Sequence, residues 1–339
     1  MSSEIPNTMT AALLAEAGGP LHLRPLPVPT PGPGEVLVRM AAAPINPSDL
    51  SVLRGSYGSE RTLPIVPGNE GSGTVVAAGP GGLGRALLGR RVACAPSGGD
   101  GTWAEYLVTR ASRCLPLLGG LSLEQGAMLI VNPMTAAAFF EIARQGGHAA
   151  LVSTAAASAL GRMILRLGRA QGMPVIHLVR RAAQVELLKK EEGGEHVLDS
   201  SQPGFAAALS ALAEQFQATL WLDAVGGEMS RTLLEAAPRG STLLMYGRLS
   251  GEDSPLDGRV LYLHEKRVEG FYLPNWMARK SFLQSVRFGW RVQRRLAREL
   301  RTEVGRRFPL AEAQAAVEHY ANHMTEGKVL LVMSFSQVQ

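Results

Sequence analysis

The sequence predicts an α/β protein with two domains, a β-rich, barrel-like region and a doubly wound parallel sheet. Its length of 339 residues exceeds what one hydrophobic core usually supports. Short apolar segments such as EVLVRMAAA (35–43) and GTVVAAG (73–79) alternate with Gly and Pro up to residue 94, which is typical of a barrel-like region. Apolar strands then alternate with helical patterns, which predicts a parallel sheet covered by helices on both faces.

A helical pattern follows Ser122, and we place the domain boundary there. Asn132–Pro133 is expected to interrupt this pattern, and Gly146–Gly147 to end it. From about residue 274 the pattern predicts a helical segment. The strand-like KVLLVM (328–333) follows it, and we expect this last segment to pack back on the first domain. The apolar runs of the parallel sheet predict strands at 149–153, 174–179, 196–199, 219–225 and 241–247.

Composition indicates a soluble cytoplasmic protein. Hydrophobic residues make up 46% of the chain, yet no uninterrupted apolar run is long enough to cross a bilayer, and MSSEIPNTMT lacks the pattern of a signal peptide. Two cysteines are too few for a disulfide framework, and they form no CxxC pair for zinc. A reducing compartment therefore fits, and no membrane partner is expected.

The net charge of +5 comes mainly from arginine, most densely between Arg279 and Arg301. Phe282, Val286 and Trp290 are interleaved there at helical spacing, which favours a solvated amphipathic helix. The alternative is a surface that attracts a phosphorylated carrier such as coenzyme A or acyl carrier protein. Nucleic acid is not expected as a partner.

A candidate cofactor site begins where the first strand of the parallel sheet ends. The segment TAAASALG (154–161) leads from this strand into a helix, whose N-terminus can receive a pyrophosphate. Of the three glycine positions in the dinucleotide fingerprint only Gly161 matches, so an ordinary α/β turn is equally compatible. After the second strand come Arg180 and Arg181 where an NAD-binding chain has an acidic residue. They favour the 2′-phosphate of NADPH, although two surface arginines opening a helix would look the same.

Several motifs carry a resemblance over nearly the whole chain. They are APINPSD (43–49), GSY (55–57), PGNEGSG (67–73), GTW (101–103), NPMTA (132–136), DAVGG (223–227), MYG (245–247), GFYL (270–273) and GKV (327–329). In this order they resemble the medium-chain dehydrogenase/reductase superfamily, and more narrowly its zinc-independent branch of quinone oxidoreductases and 2-enoyl thioester reductases. The resemblance implies a GroES-like β-barrel catalytic domain (1–122 and 274–339), a Rossmann NADPH-binding domain (123–273), an active site in the cleft between them, and a homodimer.

The zinc-dependent branch differs from this chain at its metal ligands. Those enzymes bind catalytic zinc through a cysteine early in the barrel and a histidine before the glutamate of the glycine-rich motif. Here these positions fall at Ile45-Asn46-Pro47 and at Asn69, and neither offers a thiolate or imidazole. We therefore expect no metal, and alcohol oxidation through a zinc alkoxide is not favoured.

The resemblance also implies roles for individual residues. Tyr57 and Asn46 are the candidate catalytic residues, with Tyr57 donating a proton or polarising a carbonyl, and Tyr57 and Trp276 are the candidate substrate-pocket residues. The candidate cofactor-binding residues are Asn132, Thr135, Ala157, Ser158, Ala159, Leu160, Gly161, Arg180, Arg181, Tyr246, Gly247, Phe271, Tyr272, Leu273 and Lys328. Other interpretations stay open. Asn46 and Asn132 each precede a proline and could form turns, and Tyr57 could end a loop. Lys328 could be solvent-exposed, and Phe271, Tyr272 and Trp276 could be core residues.

Three functions remain. The first is transfer of a hydride from NADPH to the β-carbon of an α,β-unsaturated carbonyl or enoyl thioester, with hydrogen bonds stabilising the developing enolate. The second is NADPH:quinone reduction on the same scaffold, which needs no dedicated proton donor. The third is a non-catalytic NADPH-binding protein. The enzymes are favoured because the proposed cofactor and proton-donor positions hold competent residues.

Overall fold

The structure, a computed structural model, describes residues 5–56, 62–190 and 192–333. Contacts divide the chain into two compact units. The first comprises 1–131, 282–296 and 302–339, and the second comprises 132–281 and 297–301. The limits at 122 and 274 that we expected for the folding domains stay a prediction.

The described residues form strands and helices whose bounds are as follows. The strands are β1 Thr8–Leu14, β2 Leu21–Pro27, β3 Glu35–Pro44, β4 Gly71–Ala78, β5 Arg91–Cys94, β6 Tyr106–Arg110, β7 Cys114–Pro116, β8 Ala150–Ser153, β9 Val175–Val179, β10 Val197–Asp199, β11 Ala218–Asp223, β12 Thr242–Met245, β13 Arg267–Gly270, β14 Val304–Pro309 and β15 Lys328–Val332. The helices are α1 Pro47–Leu53, α2 Gly82–Leu87, α3 Leu123–Ala127, α4 Val131–Gln145, α5 Ala159–Gln171, α6 Ala182–Lys190, α7 Phe205–Phe216, α8 Glu228–Ala236, α9 Gly258–Leu263, α10 Leu273–Ala278, α11 Phe282–Gln293 and α12 Ala313–Asn322.

The first unit is built on a seven-stranded sheet in the order β14-β15-β3-β4-β5-β7, with β6 paired to β3 as well. The long strand β3 is mostly buried, because its apolar side chains face the core of this unit. Strand β15 pairs antiparallel with β3, placing Leu330 opposite Pro44. Strand β15 therefore lies beside the segment that begins at Ile45. A separate antiparallel pair, β1 and β2, has Leu14 opposite Leu21.

The second unit contains a six-stranded parallel sheet in the order β10-β9-β8-β11-β12-β13. Every residue of β8 and β9 is buried, as expected for central strands covered by helices on both faces. The chain builds outward from β8 in one direction and from β11 in the other, so the two carboxyl ends flank a topological switch point. In open α/β sheets ligands bind in the crevice at such a point.

The structure corrects two details of the sequence interpretation. The helical pattern breaks at 128–130, between α3 and α4, whereas Pro133 lies in the first turn of α4, where a missing N–H costs no helical hydrogen bond. Strand β14 lies in the segment read as helical. Most of its residues are exposed, so it lacks the apolar pattern that reveals a buried strand.

Among the described residues, no helix is both long and apolar enough to cross a membrane.

Candidate functional site

In the second unit, the turn after β8 leads directly into the N-terminus of α5. Ala155 lies in the left-handed region with a φ of 49°, which is uncommon for a residue other than glycine. The N–H of Ala156 donates to the carbonyl of Leu178 over 3.1 Å, so the turn is held against β9. Ser158 caps α5, its hydroxyl accepting the N–H of Gly161 at 3.1 Å. The turn is therefore fixed at both ends.

The residues of this turn fit a dinucleotide. A Cβ at position 161 would overlap the backbone of Ala156, so only glycine allows the helix to pack this closely on the turn. The first-turn N–H groups of a helix have no partners within it, and they carry partial positive charge suited to a pyrophosphate. Ala159, Leu160 and Gly161 begin this helix, and Ala157 and the cap residue Ser158 precede it. The glycine-poor sequence thus keeps glycine at the position where α5 packs against the turn.

Arg180 and Arg181 immediately follow β9, and both are exposed. The backbone N–H of Arg180 donates to the side-chain carbonyl of Gln184 at 3.3 Å. Because the preceding strand is hydrogen-bonded to the turn through Leu178, the two guanidinium groups extend from a segment adjoining that turn.

An aromatic cluster gathers around Phe139, a fully buried residue of α4. Its ring lies 4.9 Å from that of Tyr246 and 4.8 Å from that of Phe271, which in turn lies 6.4 Å from Trp276. Thr135 is four residues before Phe139 and therefore on the same side of α4. The structure thus brings together several residues predicted from three distant motifs.

The other candidate cofactor-binding residues of these motifs are close in sequence to the aromatic cluster, and they differ in their exposure to solvent. Asn132 is the second residue of α4. Gly247 follows β12, where a Cβ would press against the backbone of Ala224. Tyr272 is 47% exposed, whereas Leu273 is half-buried. Burial, with a smaller contribution from the nearby Asp223 carboxylate, raises the pKa of Tyr246, so its hydroxyl stays protonated at neutral pH.

In the first unit, Asn46 lies at the centre of a buried polar cluster. It precedes α1 and is completely buried. Its Nδ2 donates to Glu70 Oε1 at 3.0 Å, and its Oδ1 accepts from the ammonium of Lys328. Lys328, only 2% exposed, also donates to the carbonyl of Ile45 at 3.0 Å. The role of Lys328 in cofactor binding stays a prediction, and the described geometry directs its ammonium to Asn46.

The charges of this cluster are strongly affected by burial. Burial raises the pKa of Glu70, while the nearby Lys328 and the hydrogen bonds from Val131, Asn46 and Ile130 oppose the rise. Burial lowers the pKa of Lys328 to about 8, against the opposing effect of Glu70 and Asp49. Glu70 and Lys328 thus each stabilise the charged form of the other.

Asn69 and Asp49 form the edge of the same cluster. The Nδ2 of Asn69 donates to Asp49 Oδ1 at 2.7 Å and to Ser48 Oγ at 3.1 Å, and its backbone N–H donates to Asp49 Oδ1 at 3.0 Å. Asp49 also accepts the backbone N–H of Asn46 at 2.7 Å. Within the described ranges there is no group of three or more His, Cys, Asp or Glu side chains placed to hold a metal ion.

Tyr57, the predicted proton donor, lies outside the described residues. Sequence reasoning did not identify Phe139, Thr154, Glu70 and Asp49 as site residues. Phe139 could have been found from its helical spacing to Thr135. Glu70 and Asp49 were inside quoted motifs. The partners of Glu70 are 24 to 61 residues away in the sequence, and Asn69, a partner of Asp49, is 20 residues away.

Comparison with known proteins identifies the family. The family model described as "Alcohol dehydrogenase GroES-like domain" matches residues 32–119, and the family model described as "Zinc-binding dehydrogenase" matches residues 159–288. A solved Mesorhizobium loti protein, described as an NADPH:quinone reductase, is 35% identical, and the match covers 97% of this chain and 99% of that chain with a TM-score of 0.88. The chain belongs to the medium-chain dehydrogenase/reductase superfamily.

Two further relatives place this superfamily member within its quinone oxidoreductase and enoyl reductase branch. The human mitochondrial enoyl-acyl-carrier-protein reductase is 29% identical over 284 residues, covering 81% of this chain and 75% of that protein. The Thermus thermophilus quinone oxidoreductase, solved alone and with NADPH, is 28% identical with a TM-score of 0.76, covering 96% of this chain and all of that chain. The predicted fold, with GroES-like and Rossmann domains, is confirmed, and the protein is an oxidoreductase.

Proposed function

We propose that this oxidoreductase is a zinc-independent, NADPH-dependent reductase of carbon–carbon double bonds conjugated to a carbonyl or thioester. The observation that carries the proposal is the turn after β8, closed by Gly161 and capped by Ser158, with two exposed arginines on the adjoining strand end. Similarity to enoyl-acyl-carrier-protein reductases over 81% of the chain supports the reaction type.

Preference for NADPH is supported by Arg180 and Arg181. Guanidinium groups supply both charge and paired donors to phosphate oxygens, which an NADH-specific site does not need. The Thermus thermophilus relative that was solved with NADPH is consistent with this choice.

When bound, NADPH supplies the hydride that is added to the β-carbon of the substrate. In our proposal the N-terminus of α5 holds the pyrophosphate, and Asn132, Thr135, Tyr246 and Phe271 line the rest of the cofactor site. Tyr57 donates the proton or polarises the carbonyl, a role suited to a phenol that is protonated at neutral pH. The cluster of Phe271 and Trp276 offers apolar surface to an acyl chain.

Zinc independence is supported by the chemistry of the side chains at the two expected ligand positions. Asn46 and Asn69 carry amides instead of a thiolate and an imidazole, and both amides are engaged in hydrogen bonds within the polar cluster. Carbonyl polarisation is then left to hydrogen-bond donors.

A substrate panel tests the proposal. Crotonyl-type thioesters, simple enones and quinones are each mixed with the enzyme, and loss of NADPH absorbance is followed, then repeated with NADH. We expect faster oxidation of NADPH than of NADH, with enoyl thioesters or enones among the substrates turned over. Preference for NADH would refute the roles of Arg180 and Arg181, and inactivity with every conjugated carbonyl would refute the reaction.

Quinone reduction is the second candidate, favoured by similarity to the Mesorhizobium loti and Thermus thermophilus proteins. Tyr57→Phe discriminates the two, because quinone reduction needs no dedicated proton donor. We expect enoyl reduction to fall by ~10²-fold or more while quinone turnover is largely spared. Unchanged enoyl kinetics would contradict the role of Tyr57 and favour the quinone enzyme.

We further propose a cytoplasmic homodimer that acts on small molecules, with no membrane or nucleic-acid partner. Sedimentation velocity of the full chain tests the oligomeric state, and a concentration-independent monomer would refute it.

A further inference from the structure

Asp223 is a buried carboxylate to which the sequence analysis assigned no role. It is the last residue of β11 and is completely buried. Strand β11 lies beside β8 in the parallel sheet, so Asp223 is at the carboxyl end of one of the two strands that flank the switch point. Thr154, at the carboxyl end of the other, begins the turn that leads to α5.

The side chains of these two residues join the strand ends across the switch point. The hydroxyl of Thr154 lies 3.2 Å from Asp223 Oδ1 and 3.3 Å from the carbonyl of Leu222, so these two acceptors share its one proton. The same hydroxyl accepts the N–H of Ala224 at 2.8 Å. The backbone N–H of Thr154 donates to the carbonyl of Leu222 at 3.0 Å. Thr154 is thus held by both its main chain and its side chain at the point where the turn starts.

The same carboxylate also organises the loop after β11. Oδ1 accepts the N–H of Val225 at 2.8 Å, and the N–H of Gly226 lies 3.3 Å from both oxygens. Oδ2 accepts the hydroxyl of Ser230 at 2.6 Å. Four donors therefore converge on the two oxygens of one buried side chain, which satisfies polar atoms that have no access to water.

A third segment, following β12, is joined to this network. The hydroxyls of Ser230 and Ser254 are 2.9 Å apart, and Ser254 Oγ accepts the N–H of Gly227 at 3.0 Å. The backbone carbonyl of Asp223 accepts the N–H of Tyr246, a candidate cofactor-lining residue, at 2.9 Å. Asp223 thus connects the segments that follow β8, β11 and β12.

We propose that Asp223 is a positioning residue for the cofactor site, acting through Thr154 on the turn before α5. The inference rests on the proposed binding of a nicotinamide dinucleotide at that turn. The turn needs such support because Ala155, next to Thr154, has a left-handed backbone that an alanine does not favour by itself. Asp223 fixes the residue before this strained position, and the cap at Ser158 fixes the end of the turn. The turn is thereby pre-formed before any ligand arrives, which reduces the ordering cost of binding.

The test compares variants of both partners in the full chain. Thr154→Val keeps the shape of the side chain but removes the hydroxyl, Thr154→Ser keeps the hydroxyl, and Asp223→Ala removes the carboxylate. The dissociation constant of NADPH is measured by titration calorimetry, and amide hydrogen exchange is measured over 154–161 without cofactor. Thr154→Val should weaken NADPH binding about tenfold and accelerate exchange in the turn, and Thr154→Ser should restore most of both.

Asp223→Ala should weaken binding at least as much, and the double variant Asp223→Ala/Thr154→Val should bind no worse than Asp223→Ala alone. At saturating NADPH, kcat of Thr154→Val should stay within about threefold of wild type while the KM for NADPH rises.

A matched control is Ser241→Ala. This serine is also buried in the second unit, its hydroxyl has no partner among the described residues, and its loss should change neither affinity nor exchange.

Failure of the proposed function and failure of the role of Asp223 and Thr154 give different results. A wild-type chain that binds neither NADPH nor NADH would refute the proposed function. A wild-type chain that binds NADPH, with Thr154→Val matching it in affinity and in exchange over 154–161, would refute the role of Asp223 and Thr154. If Asp223→Ala does not fold, the two Thr154 variants still decide the question, because Val and Ser leave the carboxylate in place.

Discussion

Glu70→Gln should strongly destabilise the protein, because Glu70 is the acidic residue of the buried polar cluster with the largest electrostatic effect on Lys328. Its side chain is completely buried, and Oε2 accepts the N–H groups of Ile130 and Val131, each at 2.9 Å. Oε1 accepts Nδ2 of Asn46 at 3.0 Å. Glutamine keeps the shape but removes the charge, and its amide nitrogen replaces one of the two acceptor oxygens.

The expected loss in the free energy of unfolding follows from the charge that remains on Lys328. Glu70 and Lys328 are joined through the amide of Asn46, and Asp49 compensates the charge of Lys328 less than Glu70 does. Removing one member of a buried pair of opposite charges typically costs about 3–5 kcal/mol, because the remaining charge loses its main compensation. Here that charge is on Lys328, which is 2% exposed and whose pKa burial already lowers to about 8. We therefore expect Glu70→Gln to reduce the free energy of unfolding by about 3–5 kcal/mol at pH 7. The double variant Glu70→Gln/Lys328→Met should lose less than the sum of the single losses, since neither charge is then left unpaired.

Urea unfolding followed by tryptophan fluorescence measures these free energies. Glu124→Gln is the matched control: it is the same substitution in the first unit, in a partly exposed pair whose two oxygens each lie 2.7 Å from Arg307. A surface pair of this kind is worth about 1 kcal/mol or less. The reasoning would be refuted if Glu70→Gln cost no more than Glu124→Gln, or if the effects of Glu70→Gln and Lys328→Met simply added.

Three other predictions concern the second unit. Gly161→Ala should weaken NADPH binding at least about tenfold, because its methyl group forces α5 away from the turn, whereas Gly258→Ala, where a Cβ meets nothing within 4 Å, should bind normally in the same titration. Arg180→Ala/Arg181→Ala should raise the Kd of NADPH roughly 10- to 100-fold with little change for NADH, and an equal loss for both cofactors would contradict a 2′-phosphate site. Burial lowers the pKa of His177 from 6.5 to about 3, so between these values the unfolded chain binds a proton that the folded chain does not. Stability present above pH 6.5 is therefore lost as the pH falls, by about 2 kcal/mol at pH 5, and urea unfolding of His177→Leu should show a flatter pH dependence than wild type.

The central strands of the parallel sheet were predictable from the sequence. The expected strands at 149–153 and 174–179 are observed as Ala150–Ser153 and Val175–Val179. Continuous apolar runs mark strands that are buried on both faces, so the pattern alone suffices. Strand β14 was not predictable in this way, because an edge strand with exposed arginines has no such run.

The candidate site was predictable only in part. Motif residues such as Tyr246 and Phe271 do come together, but around Phe139, which no motif had singled out. Asn46 was expected to be a catalytic residue, and this role stays a prediction. The sequence did not reveal that its amide is engaged by Glu70 and Lys328, since these partners are 24 and 282 residues away. Such contacts depend on how the strands pair, and local patterns do not encode that pairing.

The engagement of Asn46 limits what its side chain can do in catalysis. Its Oδ1 already accepts from the ammonium of Lys328, and one proton of its Nδ2 is donated to Glu70. An amide nitrogen carries two protons, so a single N–H is left for a further acceptor. A substrate or nicotinamide carbonyl could accept that proton, whereas a group that needs an acceptor from Asn46 would compete with a buried ammonium. The polar cluster therefore leaves Asn46 with only a donor to offer, which is the polarity that its predicted catalytic role requires.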